Sequence, residues 1–230
     1  MTIQNILIGS IGVLAETSDI QRRAYNQAFR EAGLDWYWDK DTYKSLLLTS
    51  GGMKRLRRLS ADKDQVLAPD AIENLHARKT EIACREIAEK GIDLRPGIVE
   101  LMRFARQAGI TMALVTTTYR QNIQAIEVGA RQSLRLEDFS QILTVEDVRQ
   151  SKPHPEVYNL ALARLETDPA RCLAIEDSVA SLNSALEAGI QTLVTPGEFT
   201  MAQDYGNADW HYPSILRFLQ DSEVFKRELA

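Results

Sequence analysis

Cysteine is scarce here, and so are the features that would take the chain out of the cytoplasm. Only Cys84 and Cys172 occur in 230 residues. They fall in a helix-like and a strand-like stretch, without metal-ligand spacing, and read as buried free thiols. No apolar run reaches the length that spans a bilayer. No basic segment followed by an apolar h-region opens the sequence, so a cytoplasmic protein without membrane attachment is expected. Excess positive charge is missing too. Lys and Arg number 27 against 32 Asp and Glu, a net charge of −5, which argues against nucleic acid as a partner. The sharpest absence is local. From Met1 to Ala15 no side chain can ionise, and the first acid is Glu16.

What is present is an ordinary globular composition, 44% hydrophobic and 26% charged, in a length that suits one domain carrying an insert. The run Ile3-Gln4-Asn5-Ile6-Leu7-Ile8 reads as a buried strand of a parallel sheet. It ends in Gly9-Ser10-Ile11-Gly12, the kind of position where open α/β sheets hold ligands. Thr17 or Ser18 is placed to cap a helix whose stripe is Ile20, Ala24, Ala28 and Phe29, closing at Gly33. Helical stretches follow around Tyr43, at Lys54–Leu59, and from Pro69 to about Glu89. No strand is expected between Ala15 and Leu94. Trp36 and Trp38, with Tyr37, are expected in the core of this helical insert.

Beyond Leu94 the pattern changes. A helix with Ile98, Leu101, Met102 and Ala105 stops at Gly109. Strands are expected at Thr111–Thr116, Gln141–Thr144, Cys172–Ile175 and Gln191–Val194, the last completing the series. Helices around Ile123, Val157 and Leu182 separate them. This alternation marks an α/β fold with a doubly wound parallel sheet.

Polar groups collect at successive strand ends, and each has a structural explanation when taken alone. Thr116-Thr117-Thr118 suits a helix cap, Lys152 before Pro153 a solvated loop, and Glu176-Asp177-Ser178 another cap. Together, a hydroxyl row, a lysine and an acidic pair suit a phosphate and a divalent cation.

The order Thr116, Lys152-Pro153, Glu176-Asp177-Ser178, with a helical insert after the first strand, resembles the haloacid dehalogenase superfamily. Lys152-Pro153-His154-Pro155-Glu156-Val157-Tyr158 and Ile175-Glu176-Asp177-Ser178 resemble its branch with a small helical cap, which includes the β-phosphoglucomutases and CbbY-like sugar-phosphate phosphatases. Gly33-Leu34-Asp35-Trp36, Gly51-Gly52 and Val194-Thr195-Pro196 resemble the CbbY-like group. The resemblance implies a Rossmann-like core over 1–15 and 95–230, with a cap over 16–94. It also implies phosphate binding by Thr116, Thr117 and Lys152, magnesium binding by Glu176 and Asp177, and substrate selection by the cap.

The same resemblance exposes departures. The family's first strand ends in Asp-x-Asp-Gly-x-x-x-Asp/Glu-Thr, the first Asp being nucleophile and metal ligand, the second acid/base. Gly12, Glu16 and Thr17 are in register, but Gly9 and Ile11 stand at the two aspartate positions. Gln21 replaces a frequent His, and Met53 a Lys, with Lys54 and Arg55 beside it. Glycine offers no nucleophile and isoleucine moves no proton. Where such groups act as a unit, losing one costs about 10⁶ in kcat. Glu16 and Asp19 lie too far along the chain to reach the roughly 3–3.5 Å that chemistry needs. The site is therefore expected to be catalytically dead, with magnesium weakened, and still able to hold phosphate or a sugar phosphate.

Competing readings are a working hydrolase that uses another group with Mg2+, and an interaction scaffold or regulatory protein with a protein partner. A dinucleotide fold is disfavoured because no acid closes a second strand about 20 residues after Gly12. The basic helix Lys54-Arg55-Leu56-Arg57-Arg58 reads as a solvated face.

Overall fold

The computed structural model describes residues 3–63 and 66–221; the expected core range's ends at 1–2 and 222–230 lie outside the described residues. The leading strand β1 (Asn5–Ile8) is buried at every position. Ile6 and Ile8 face one hydrophobic layer and Leu7 the other, as expected for a strand covered on both sides. Around it β2 (Thr111–Val115), β3 (Gln141–Leu143), β4 (Cys172–Glu176), β5 (Gln191–Val194) and β6 (Trp210–His211) form one sheet in the order β3-β2-β1-β4-β5-β6. Every pairing is parallel. β6 is a correction: it adds a sixth strand beyond the expected five. Glu176 is also the last residue of β4 itself, so its direction is set by the sheet.

Five helices lie between β1 and the next strand, and the first four make up the insert: α1 (Ser18–Glu31), α2 (Lys40–Leu46), α3 (Gly52–Asp62) and α4 (Pro69–Lys90). Their core is aromatic. Phe29 meets Trp38 edge-on with ring centres 5.0 Å apart, and Tyr25 lies 4.6 Å from Trp38. Asn26 fixes the Trp38 backbone in both directions, accepting from its N–H and donating to its carbonyl, each at 2.8 Å. Trp36 and Trp38 are buried while Tyr37 is exposed. Thr17 stands at the α1 N-cap without using its hydroxyl there; the Ser18 N–H is satisfied by Glu16 instead, at 2.9 Å.

The remaining helices are α5 (Ile98–Ala108), α6 (Arg120–Gly129), α7 (Glu156–Arg164), α8 (Val179–Glu187) and α9 (Ile215–Gln220). α5, α6 and α9 cover one sheet face, α7 and α8 the other. α4 packs along α1 on one side and α6 on the other, and so ties the insert to the sheet layer. The Arg95 guanidinium draws together the carbonyls of Gly12, Thr195 (2.6 Å) and Pro196 (2.8 Å). That clasp holds the loop after β1 over the sheet. Cys172 is buried as expected, whereas Cys84 is only half-buried.

Candidate functional site

The carboxyl ends of β1, β2 and β4 open on one cavity of about 270 Å³, roofed by α1, α3 and α4. It is near the small end for ligand pockets. Every expected site position lines it: Gly9, Ile11, Thr116, Thr117, Lys152, Glu176 and Asp177 from the sheet side, and Gln21, Met53, Lys54 and Arg55 from the insert. Glu16 is not among the lining residues.

On the floor, the Ser10 and Thr116 hydroxyls share a 2.8 Å hydrogen bond, and Thr116 also accepts from the Thr118 N–H at 3.2 Å. Lys152 is not a solvated loop lysine. It is 3% exposed, donates to the Val115 carbonyl at 2.9 Å and pairs with Glu176. The Tyr158 hydroxyl donates to the same carboxylate oxygen. Glu176 also lies against position 9. A Cβ built on Gly9 would lie 2.5 Å from Glu176 Oε2 and 2.9 Å from Val13 Cγ2. The carboxylate from β4 thus fills the volume in which a β1 side chain would begin.

Asp177 is 8% exposed. Burial, with the charges of Glu176 and Glu16, pushes its carboxyl up to about 8, against the opposing pull of Arg95 and Lys152. Neither Asp177 nor Ser178 caps α8. The Val179 N–H bonds Gln203 at 2.8 Å, and the Ser178 hydroxyl turns to Ser181. The acidic pair is therefore free of the capping role that would have explained it.

Magnesium prefers a tight octahedron of oxygens. The cavity has two carboxylates, one already committed to Lys152 and Tyr158. No cluster of three or more His, Cys, Asp or Glu able to hold a metal occurs among the described residues. The donor set does not fit a strong magnesium site.

On the cap wall, Lys54, Arg57 and Arg58 are exposed, but Arg55 turns inward, 5.7 Å from the Tyr43 ring. That corrects the solvated-face reading for this residue. Gln21 accepts from Lys79 at 2.6 Å and donates to Asn122 of α6 at 3.3 Å. Lys79 was not foreseen, nor were His76 and Tyr25, all buried in the same wall. Burial and the Arg55 charge push the Lys79 amine down to about 7; burial, Lys79 and Arg55 take the His76 imidazole to about 3. A signal was available: Lys79 keeps helical register with Ile72, Leu75, Ile82 and Ala83, a core-facing stripe.

Comparisons agree with this architecture. A family model described as a haloacid dehalogenase-like hydrolase matches residues 6–189. The CbbY protein of Rhodobacter capsulatus is 37% identical over 215 residues, covering 94% of this chain and 95% of its own. The crystal structure of CbbY from Rhodobacter sphaeroides in complex with phosphate superposes with a TM-score of 0.87 at 37% identity, over 94% of this chain and 96% of that one. A mutant of that protein in complex with xylulose-(1,5)-bisphosphate gives 0.86 at 38% identity, with the same coverage.

Proposed function

This chain belongs to the haloacid dehalogenase-like hydrolase family, and we propose that it is a member that binds phosphate or a phosphorylated sugar without hydrolysing it. One observation carries the reading. The cavity keeps a hydroxyl floor and a buried lysine, while the β1 loop beneath it offers Gly9 and Ile11, and Glu176 fills the space a side chain at position 9 would need. Thr116, Thr117 and Lys152 hold the phosphate, and residues 16–94 act as the cap, with Gln21, Met53, Lys54 and Arg55 facing the rest of the ligand. Glu176 and Asp177, the magnesium ligands that the resemblance implies, form at most a weak metal site. Phosphate and a sugar bisphosphate bound to the Rhodobacter sphaeroides relative support this ligand class.

The test is phosphate release from a panel of sugar phosphates with magnesium, run on the wild type beside Gly9→Asp/Ile11→Asp. Release is expected only from the double variant, and calorimetry is expected to show phosphate binding to the wild type. Brisk magnesium-dependent turnover by the wild type would overturn the proposal. The rival reading, a hydrolase using another group, has its own support: Glu176 Oε2 lies against the vacated position. That reading requires wild-type turnover that disappears in Glu176→Gln.

A further inference from the structure

Three lysines line the cavity, and their surroundings differ. Lys54 is exposed to solvent, Lys152 is paired with Glu176, and Lys79 has neither water nor a carboxylate beside it. Lys79 is 6% exposed and makes no ion pair among the described residues. Its Nζ stands 4.6 Å from the centre of the Tyr25 ring. The groups that surround it are Gln21 and Tyr25 of α1, Arg55 of α3, His76 and Cys84 of α4 itself, and Asn122 of α6 behind Gln21. None of them is an anion. Arg55 is a second cation, hydrogen-bonded to Tyr25, while burial keeps the His76 imidazole and the Cys84 thiol uncharged. Burial and the Arg55 charge bring the Lys79 amine to about 7, so much of it is unprotonated at neutral pH. A desolvated amine beside another cation is the form in which lysine attacks carbonyl carbon.

The same amine is fixed relative to the phosphate floor. It donates one N–H to Gln21 Oε1 at 2.6 Å, which leaves the lone pair of the neutral amine uncommitted. Gln21 donates in turn to Asn122 Oδ1 at 3.3 Å, and Asn122 to the Thr118 hydroxyl at 3.1 Å. The Thr118 N–H closes the relay on the Thr116 hydroxyl at 3.2 Å. Lys79 and the Thr116–Lys152 floor therefore belong to one connected wall around a cavity of about 270 Å³. A small molecule held there by its phosphate has its carbon chain on the side of the amine.

We propose that Lys79 captures a carbonyl group, forming a reversible imine with a small phosphorylated aldehyde or ketone held at the Thr116–Lys152 side. The proposal rests on the reading of that side as a phosphate site. The nitrogen lone pair attacks the carbonyl carbon, a C–N bond forms and the C=O π pair moves to oxygen. The two amine hydrogens then leave with that oxygen as one water; the C–O bond breaks and C=N takes its place. The step is redox-neutral, needs no second substrate and is reversed by water. It also needs no carboxylate at position 9 or 11, so it is open to a chain with Gly9 and Ile11 there.

Borohydride reduction tests this, because it converts the imine to a stable secondary amine that intact mass and peptide mapping locate. The probes are glyceraldehyde 3-phosphate and dihydroxyacetone phosphate, with glyceraldehyde lacking the phosphate and glycerol 3-phosphate lacking the carbonyl. Near neutral pH the wild type is expected to gain one adduct, at Lys79, with either carbonyl phosphate and none with glycerol 3-phosphate. Glyceraldehyde is expected to label Lys79 at least about tenfold more slowly, for want of the phosphate contact. Lys79→Met is expected to abolish the adduct. Gln21→Glu changes little in shape and covers the case in which Lys79→Met does not fold. Its carboxylate favours the charged amine, so labelling should slow near neutral pH and recover in alkaline buffer, a reversal that damaged protein would not show. Adducts spread over exposed lysines, or a Lys79 adduct that forms as fast with glyceraldehyde, would overturn the proposal. Calorimetry with glycerol 3-phosphate separates the two readings. Heat from it without a Lys79 adduct from the carbonyl probes refutes the imine and leaves the phosphate site standing; neither heat nor adduct removes both.

Discussion

Glu176→Gln separates a phosphate-binding pocket from a metal-dependent phosphatase site, because the two demand opposite outcomes. In this structure Glu176 neutralises Lys152 at 2–4% side-chain exposure and crowds the empty position of Gly9. An anion entering beside Lys152 meets that carboxylate as a like charge. Two unit charges about 5 Å apart interact by about 3 kcal/mol at an effective dielectric near 20. If reorganisation of the lysine cancels half, about 1.4 kcal/mol remains, roughly a tenfold tightening for phosphate. The unliganded variant should suffer, since breaking a buried ion pair costs about 3–5 kcal/mol. Retention of the Tyr158 contact by glutamine puts the loss near the lower figure. For a chain of this size that is a fall in Tm of roughly 6–12 °C. Phosphate then supplies the missing negative charge, so the ligand-induced rise in Tm should exceed that of the wild type. Thermal melts and calorimetry, both without magnesium, read the two effects. Weaker phosphate binding in the variant would refute the reasoning and show that Glu176 serves the ligand through a metal.

Three further outcomes follow from the same geometry. The folded chain releases the Lys79 proton near pH 7, against 10.5 for an ordinary lysine, so between those values the unfolded state binds more protons and stability from this group rises with pH. Urea unfolding at pH 7 and pH 10 should show that rise in wild type and a smaller one in Lys79→Met. Gly12→Ala should cost more than the usual 1 kcal/mol or so of a glycine replacement. Its φ is +78° and the new Cβ would strike the Asp177 carboxylate, a loss that denaturant titration would register. In Gly9→Asp/Ile11→Asp the side chain at position 9 crowds Glu176, so magnesium should raise the Tm of that variant and leave the wild type nearly unchanged.

What could be read from residues alone depended on how far each signal reaches along the chain. β1 was legible because Ile6, Leu7 and Ile8 are apolar together, and Gly9 and Ile11 because a missing carboxylate is a property of one position. The strand Trp210–His211 was not, since two residues without an apolar run give no period, and it exists by pairing with Leu193 and Val194. Arg55 was hidden in a run of basic residues whose helical phase turns one of them inward, over Tyr43. The consequence of Gly9 was hidden for a different reason. With no side chain at position 9, Glu176 lies against the space a Cβ there would fill, and its other carboxylate oxygen pairs with Lys152. The residue at one position thus bears on a side chain more than a hundred positions later, a relation that no local pattern carries. Of the pocket's two acids, Glu176 is the one paired with the buried lysine, and as that lysine's counter-ion it competes with an entering anion, which is why its removal should strengthen the grip on one.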